Sequence, residues 1–253
     1  PKAVLEKLGR VFPIARADGC SREGPLDFKP SVRATTAAES CTEAASSEES
    51  PAIAYPSLLE TSQSAYVTVV RGCNHACSFC IVPKVRGKEV SVPIDDVIRK
   101  VKFYHALGFN EVTLLGQNIL SYGSDFDSRC DFITLMDSLL ERTEVPWISF
   151  LTSHPRDLTD EIINEVISQP RVTPLLHLPV QAGSDRILKL MRRKYTVGDY
   201  LEKVEKVRRA CPDVFLTTDI IVGFPGETAE EFVATLELMK RVRFNDAFMF
   251  SYS

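Results

Sequence analysis

Two rhythms of hydrophobic and polar residues alternate along the chain from residue 65 onward. Short apolar runs of strand length are separated by longer segments in which apolar residues recur every three or four positions, as on one face of a helix. The predicted strands are 66–70, 111–116, 147–153, 174–180, 214–224 and 247–252. The predicted helices are 93–108, 132–139, 162–167, 185–191, 197–210 and 228–241. Asp157 and Thr159 are candidate caps of the third helix, and Thr228 and Glu231 have the capping-box spacing at the start of the last. Such alternation favours a parallel α/β sheet with right-handed crossovers.

The number of repeating units limits the architecture. Six strand–helix units are predicted, which is fewer than the eight of a closed barrel. The pattern therefore leaves an open partial barrel and a doubly wound sheet as the two possibilities. In both, ligands bind at the carboxyl ends of the strands.

The residues before this region have a different composition. Residues 1–13 carry a short apolar pattern that predicts the last helix of a preceding N-terminal domain. Residues 14–64 are rich in Ala, Ser, Thr and Glu, and we expect a disordered linker because little in them can be buried. Cys20 and Cys41 lie in this linker, and without a close partner cysteine they are interpreted as incidental thiols rather than cluster ligands. Residues 65–253 then form the predicted core domain.

Composition and charge exclude several classes of protein. The 253 residues are 44% hydrophobic and 25% charged, which is typical of a soluble globular chain, and no apolar run approaches the length of a membrane span. Seven irregularly spaced cysteines argue against a disulfide framework and for a reducing, cytoplasmic location. The net charge of −4 excludes binding of nucleic acid by bulk charge, although a local basic patch remains possible.

Cys73, Cys77 and Cys80 follow the first predicted strand in C-x3-C-x2-C spacing. Thiolate is a soft ligand that suits iron–sulfur clusters or zinc. Three ligands on a cluster of four irons leave one iron open to a substrate. Structural zinc needs a fourth protein ligand, for which His75 lies in the loop but in a cramped position. The spacing therefore favours a 4Fe–4S cluster, with zinc or three unligated thiols as the alternatives.

Polar motifs also follow the next four predicted strands. Each motif alone is weak evidence for a site. Gly116 and Gly223 could serve ordinary turns, and His154 could be a structural histidine. Together with the cysteine loop they indicate one site built from several strand ends. Asp219, inside an apolar strand, needs a polar partner, and His177 is predicted to be a hydrogen-bonded core residue. The motifs are residues 116–118, 153–155, 180–185 and 223–227.

The string RGCNHACSFCIVPKVRGKEVS, residues 71–91, resembles the signature of the radical S-adenosylmethionine (SAM) enzymes and, in its flanks, of their methylthiotransferase branch. LLGQN, HLPVQAGSD and TTDIIVGFPGET resemble the motifs of that branch at later strand ends. TSHP, residues 152–155, is similar to the members that act on isopentenyladenosine in tRNA, the MiaB type. The resemblance spans residues 65–253 and implies a partial (β/α)6 barrel, of the TIM-like radical SAM type.

The same resemblance implies a set of cofactor contacts. The three cysteines would hold a 4Fe–4S cluster, and the open iron would bind SAM. Gln117 stands where many members carry an acid that binds the methionine amine, Phe79 would lie beside the adenine, and the glycine at 223 would let the backbone approach it. The candidate SAM contacts are Phe79, Gly116, Gln117, Ser153, Gln181, Asp219 and Gly223.

The activity implied by the resemblance is conversion of N6-isopentenyladenosine next to the tRNA anticodon to its 2-methylthio derivative. An electron donor such as a flavodoxin would reduce the cluster. Full-length members carry an N-terminal domain with a second 4Fe–4S cluster and a C-terminal RNA-binding domain, so we expect residues 1–253 to cleave SAM as a monomer but to bind tRNA weakly and not to complete sulfur transfer.

Three alternatives to this function and site remain open. The substrate could instead be threonylcarbamoyladenosine in tRNA or a ribosomal protein. The chain could also be a metal-stabilised binding module without catalysis. The basic runs at 192–194, 208–209 and 240–243 could contact phosphate, although solvated helix faces are the preferred interpretation.

Overall fold

The computed structural model describes residues 64–127 and 130–253. The predictions for the N-terminal remnant at 1–13 and for the linker at 14–64, with Cys20 and Cys41, lie outside the described residues except at Ser64. Strand β1 begins at Ser64, one residue before the predicted start of the core domain.

Six parallel strands carry the fold, as predicted. The first sheet has the order β1-β4-β5 and the second the order β6-β7-β8. A parallel bridge between Ile148 of β5 and Val172, just before β6, continues the order from one sheet to the other. The strands are β1 Ser64–Thr68, β4 Glu111–Leu115, β5 Trp147–Phe150, β6 Leu175–His177, β7 Phe215–Val222 and β8 Asp246–Ser251.

The order of the strands decides between the two predicted architectures. A doubly wound sheet reverses direction at a switch point, whereas here the parallel strands follow one another in chain order. The fold is therefore the predicted partial (β/α)6 barrel, and within the described residues the sheets do not close into a complete barrel.

Helices follow the strands in the positions that the periodicity predicts. The predicted helix at 162–167 is present as a π-helix, Ile162–Ile167, and short 3-10 turns cover Ile119–Ser121 and Pro155–Asp157. The α-helices are α1 Val82–Arg86, α2 Ile94–Ala106, α3 Phe132–Arg142, α4 Asp185–Leu190, α5 Val197–Ala210 and α6 Ala229–Val242.

Side chains on the helices fix where several helices begin. The Thr228 hydroxyl and the Glu231 carboxylate form the predicted capping box of α6. Thr196 and Asp199 form a second box at α5. The Glu231 carboxylate also accepts hydrogen bonds from Ser184 and Arg186, which ties the start of α6 to the start of α4. Because of these bonds, with Arg186 first, the pKa of Glu231 is lowered to about 2.

A short antiparallel pair flanks the cysteine loop, and it was not predicted. Strand β2, Val70–Arg71, pairs with β3, Val90–Ser91. Pairing of β2 with β3 closes the segment between these strands into one loop, the cysteine loop. Both ends of the loop lie near the end of β1, where Val92 donates its backbone N–H to the carbonyl of Val69 at 2.8 Å.

The sheets have one apolar and one more polar face. On β1, Ala65 and Val67 are buried while Tyr66 is 61% exposed. Hydroxyl groups link neighbouring strands on the polar face, as between Ser64 and Thr113, 3.0 Å apart. The apolar face packs against the helices to form the core.

Close packing at Gly183 leads to a first prediction. A Cβ atom there would lie 2.5 Å from Cα of Thr235, in the backbone of α6, so Gly183→Ala must push the helix away. We expect a loss of about 1–3 kcal/mol in the free energy of unfolding, as for other overpacked sites. Urea denaturation followed by circular dichroism measures it.

Gly198→Ala is the matched control for this prediction. Its Cβ atom would lie 3.6 Å from the Thr196 hydroxyl, an ordinary contact, and alanine is the better helix former by roughly 0.5–1 kcal/mol. Equal urea midpoints for the two variants would show that the contact between Gly183 and α6 is not tight.

Candidate metal and cofactor site

The cysteine loop runs from the end of β2 to β3 and is held at both ends. The Cys73 N–H donates to the carbonyl of Gly87 at 3.2 Å, across the two arms of the loop. The Cys80 N–H donates to the carbonyl of Cys77 at 3.2 Å, in a tight turn. All three thiols are reduced and partly exposed, so they remain accessible to an incoming metal centre.

Burial and neighbouring charge act on the Cys73 thiol. Desolvation by burial is the largest cause, and together with the charges of Glu89, Cys77 and Cys80 it raises the pKa of Cys73 to about 11. The three sulfur atoms are thus close enough to repel one another when ionised. A metal centre that bound all three would displace protons and remove that repulsion.

A buried acid fixes one arm of the loop. Glu89 is only 5% exposed and its carboxylate accepts two hydrogen bonds from Asn74, from the N–H at 3.2 Å and from Nδ2 at 3.0 Å. The Glu89 N–H donates back to Oδ1 of Asn74 at 3.2 Å, and the Ser124 hydroxyl donates to the same carboxylate. Sequence analysis missed this role, because Asn74 and Glu89 meet across a loop whose closure by β2 and β3 was not predicted.

Residues that directly follow β4 support the cysteine loop. Gln117 was predicted to contact SAM, and its side-chain oxygen accepts the Gly72 N–H at 2.6 Å. Gly116 is required by packing, because a Cβ atom there would lie 2.3 Å from Cγ1 of Val70. Both residues therefore position the cysteine loop, and their contact with SAM stays a prediction.

A polar network joins the loop to the ends of β4 and β5. His75 Nε2 lies 2.6 Å from Oδ2 of Asp157, and Asn118 Nδ2 donates to the same oxygen at 2.7 Å. Asn118 also accepts the His154 N–H at 3.0 Å. Asp157, a predicted helix cap, is thus used in this network instead, while the hydroxyl of Thr159 accepts the N–H of Ile162.

Charge in this network holds Asp157 ionised. Burial alone raises the pKa of Asp157, but the hydrogen bond to His75 and the electrostatic interaction with it outweigh burial, and the net pKa is lowered. Sequence analysis did not connect these residues, because 82 positions separate His75 from Asp157.

His154 stacks on His75, with ring centroids 3.9 Å apart and planes 12° apart. Burial is the first cause, and the nearby charges of Arg193 and His75 add to it, so the pKa of His154 falls to about 2 and the ring is neutral at ordinary pH. Nδ1 accepts the N–H of Arg156, so Nε2 carries the ring hydrogen. Within 64–127 and 130–253, Nε2 of His154 has no hydrogen-bond partner, and neither has the buried hydroxyl of Ser153.

The parallel rings of His75 and His154 argue against a mononuclear metal site among His75, His154 and Asp157. The three residues offer ligand atoms within 4.8 Å of one another. In imidazoles stacked 3.9 Å apart, however, the ring nitrogens direct their lone pairs within two nearly parallel planes, which do not meet at one point. The arrangement is better suited to hydrogen bonding with a ligand than to tetrahedral coordination.

The remaining predicted contacts lie on the β6–β7 side. Gln181 is buried in the left-handed conformation at φ 74°, and its N–H donates to the carbonyl of Asp219 at 2.9 Å. The Asp219 carboxylate has the partner that its strand position requires, since Oδ2 lies 3.5 Å from Nε2 of His177. His177 also contacts the Thr217 hydroxyl at 2.8 Å, as expected of a hydrogen-bonded histidine.

Two predicted contacts at this end leave room for a ligand. Gly223 has φ +77°, and a Cβ atom built there would meet nothing within 4 Å, so the backbone faces open space. Phe79 is half-buried and packs against an apolar cluster on and around α4 and β7. The cluster comprises Ala182, Ile187, Leu188, Met191, Ile221 and Phe224.

The arrangement fits a thiolate-bound cluster with SAM beside it. Three soft ligands face solvent on a braced loop. Two buried donors among the described residues, the Ser153 hydroxyl and Nε2 of His154, have no hydrogen-bond partner and could bind a polar ligand. The open backbone at Gly223 and the ring of Phe79 border an apolar cluster, as the adenine of SAM requires.

One residue of the basic runs was interpreted wrongly. Arg193 is neither a solvated side chain nor a phosphate contact: it is 4% exposed, and Nη1 lies 3.5 Å from Sγ of Cys77. Its neighbours Arg192 and Lys194 are exposed. Arg208, in the second run, donates to the carbonyl of Arg243 at the end of α6.

Comparison with known proteins gives a family match and close relatives. The profile of the radical SAM superfamily matches residues 67–239. The tRNA-2-methylthio-N(6)-dimethylallyladenosine synthase of Thermoanaerobacter pseudethanolicus is 50% identical over 189 residues, 75% of this chain and 40% of that protein. The synthase of the same name from Myxococcus xanthus is 52% identical over 191 residues, 74% and 40% of the two chains. That from Carboxydothermus hydrogenoformans is 46% identical over 252 residues, 99% and 50%.

The chain thus spans half or less of the length of these curated relatives. Among solved structures, the radical SAM methyltransferase TsrM from Kitasatospora setae, with cobalamin and a [4Fe-4S] cluster bound, has a TM-score of 0.60 at 14% identity, over 74% of this chain and 34% of that one. Coproporphyrinogen III oxidase (HemN) from Escherichia coli has 0.54 at 17%, over 78% and 46%. At such identities the likeness concerns the fold alone.

No helix in the described ranges is long and apolar enough to cross a membrane.

Proposed function

We propose that this chain, which belongs to the radical SAM superfamily, is the catalytic core of a tRNA methylthiotransferase. Its substrate would be N6-isopentenyladenosine, which the names of its relatives give as N(6)-dimethylallyladenosine. The observation that carries the proposal is the set of three thiols on a braced loop at the strand ends. Identity of about one half to synthases with that name supports the choice of substrate.

Each part of the site has a role in this proposal. Cys73, Cys77 and Cys80 would hold the 4Fe–4S cluster that the superfamily uses. When bound, the cluster supplies the electron that cleaves SAM reductively into methionine and a 5′-deoxyadenosyl fragment. The chain itself binds and orients SAM and keeps water away from the reacting carbon.

The donors and the open backbone would bind SAM at its two ends. The Ser153 hydroxyl and Nε2 of His154 would each gain an acceptor, which removes the cost of a buried, unpaired donor. Gln181 and the backbone at Gly223 would face the nucleoside, and Phe79 would cover the adenine. Asp219 would reach SAM together with its partner His177, while Gly116 and Gln117 would act mainly by holding the loop.

The wider requirements of the reaction also belong to the proposal. The whole enzyme would need a second 4Fe–4S cluster as the sulfur source and an electron donor of the flavodoxin type. Its substrate would be tRNA, and a cytoplasmic location would keep the three thiols reduced.

Isotope transfer tests the activity and the substrate in one assay. The reconstituted chain is reduced anaerobically with SAM and an anticodon stem-loop that carries N6-isopentenyladenosine with deuterium at C2 of the base. We expect 5′-deoxyadenosine that contains deuterium, because hydrogen abstraction at C2 precedes sulfur insertion in this proposal. The product is quantified by chromatography and mass spectrometry.

The control is the same stem-loop with threonylcarbamoyladenosine. Deuterium transfer from that base alone would favour the other tRNA substrate. Absence of 5′-deoxyadenosine from a sample with a full, reducible cluster would overturn the radical SAM activity, and a colourless chain with one bound zinc ion would favour the binding module.

A further inference from the structure

Arg193 is a buried cation beside the cysteine loop. It follows α4, and its neighbours Arg192 and Lys194 both adopt the left-handed conformation, at φ 59° and 56°. These two residues are exposed, whereas Arg193 between them is only 4% exposed. Such backbone positions are uncommon outside glycine, so the turn that directs Arg193 inward is held by its surroundings.

The guanidinium group has three partners. Nη2 donates to the carbonyl of Pro179 at 2.7 Å, and Nε donates to the hydroxyl of Tyr195 at 2.8 Å. Nη1 donates to Sγ of Cys77 at 3.5 Å, within the range of bonds to sulfur. The bonds of Nε and Nη2 thereby fix the planar guanidinium group, and Nη1 remains for the sulfur of Cys77.

Among the described residues, no carboxylate forms an ion pair with Arg193. A buried charge without a partner is costly. Burial by itself lowers the pKa of Arg193, but the neighbouring Tyr195 and Cys77 outweigh it and the net pKa is raised, so the group stays cationic. As a cluster ligand Cys77 would be a thiolate, which is the anion that best balances this charge.

The contact does not depend on Arg193 alone. The Ser78 N–H donates to the carbonyl of Met191 at 3.2 Å, and its hydroxyl donates to the carbonyl of Leu190 at 2.9 Å. Phe79 packs against Met191 and the rest of the apolar cluster. The end of α4 is therefore attached to the cysteine loop through bonds that a substitution at Arg193 leaves in place.

We propose that Arg193 raises the reduction potential of the iron–sulfur cluster held by Cys77, by donating a hydrogen bond and a positive charge to that ligand sulfur. The inference rests on the proposed function, because it requires the cluster. Reduction by one electron adds negative charge to the cluster, and a fixed cation next to a ligand sulfur stabilises the reduced form more than the oxidised form. Hydrogen bonds to the sulfurs are one of the means by which proteins set such potentials.

Potentiometric titration of the reconstituted chain tests the proposal. The cluster signal is followed by electron paramagnetic resonance in the absence of SAM, for the wild type, Arg193→Gln, Arg193→Lys and Arg192→Gln. For Arg193→Gln, which removes the charge, we expect the equilibrium constant for reduction to fall about tenfold, which corresponds to about 59 mV for one electron. Arg193→Lys keeps the charge but loses the fork, so a smaller fall of about threefold is expected.

Arg192→Gln is the matched control, since it removes the same charge from an exposed neighbour and should leave the potential unchanged. An unchanged potential in Arg193→Gln at full iron content, or an equal fall in Arg192→Gln, overturns the proposal. If Arg193→Gln assembles no cluster, Arg193→Lys decides, and an unchanged potential there overturns it.

Two further outcomes separate this proposal from the proposed function. Failure of both Arg193 variants to assemble a cluster that Arg192→Gln assembles would assign Arg193 a structural role only. A wild-type chain that takes up no 4Fe–4S cluster overturns both proposals, whereas a wild-type cluster with insensitive Arg193 variants overturns only this one.

Discussion

Replacing Cys73, Cys77 or Cys80 with alanine is expected to abolish binding of the 4Fe–4S cluster and, with it, reductive cleavage of SAM. The three thiols interact electrostatically on one short loop, and no other cysteine of the described residues contributes to that interaction at Cys73. Loss of a residue behind a metal ligand costs roughly 10–100-fold in affinity, so loss of a ligand itself should cost more than about 100-fold.

Cys211→Ala is the control for these variants, with Cys130→Ala as a second. Cys211 lies at the end of α5 and Cys130 is buried before α3, so neither belongs to the cysteine loop. Iron and sulfide per chain after anaerobic reconstitution, together with the visible absorption, measure the result. Full iron retention in any of the three loop variants would refute the ligand assignment.

The parts of the fold that sequence predicted are those that local physics determines. Strand and helix periods differ, so six strands and the helices between them were found within a few residues. The capping box at Thr228 and Glu231 depends on residues three positions apart and was predicted for that reason. The box at Thr196 and Asp199 has the same spacing with Asp in place of Glu, and was missed. The spacing of the cysteines is equally local.

What the sequence did not predict depends on which elements become neighbours. Hydrophobic periodicity tells which face of an element is buried but not which residue it meets. Arg193 lies 116 positions from Cys77, and its basic neighbours made it resemble a solvated surface. The left-handed turns at Arg192 and Lys194 that direct it inward leave no trace in composition. Glu89 was missed for a related reason: its partner Asn74 lies across a loop whose closure by β2 and β3 was not predicted.

The same dependence on neighbouring elements explains why the structure gives one candidate SAM contact a different partner and adds others. Gln117 was proposed from its place at a strand end, and its side-chain oxygen is used by the Gly72 N–H. The loop after β2 binds this side chain, and a sequence does not show which loop meets a given strand end. The donors at Ser153 and His154 were identified only by their lack of a partner, which is a property of the packed molecule.

Gly72→Ala should damage the site without removing a ligand, and it has the second largest expected effect. Gly72 has φ +78°, and a Cβ atom there would lie 2.0 Å from the carbonyl oxygen of Lys88. The position of a Cβ atom is fixed by the backbone, and the oxygen belongs to the backbone of the loop that β2 and β3 close, so no side-chain rotation relieves the clash. The alternative is movement of Gly72, which breaks its 2.6 Å hydrogen bond to Gln117 and shifts the adjacent Cys73.

The expected loss in the free energy of unfolding combines two costs. A left-handed backbone costs a non-glycine residue about 1–2 kcal/mol, and overpacking adds about 1–3 kcal/mol, so we expect roughly 3 kcal/mol. Gly108→Ala separates the two costs, because Gly108 has φ +94° and a Cβ atom there meets nothing within 4 Å. It should lose only the first.

Urea denaturation measures the stability of both variants, and iron content after reconstitution measures the site. Gly108 follows α2, away from the cysteine loop, so Gly108→Ala should keep its iron while Gly72→Ala loses most of it. This difference follows because displacement of Cys73 moves one of three ligands relative to the other two, and a compact cluster tolerates little change in ligand spacing. Equal stability losses and equal iron contents in the two variants would contradict the tight approach of the loop's two arms at Gly72 and Lys88.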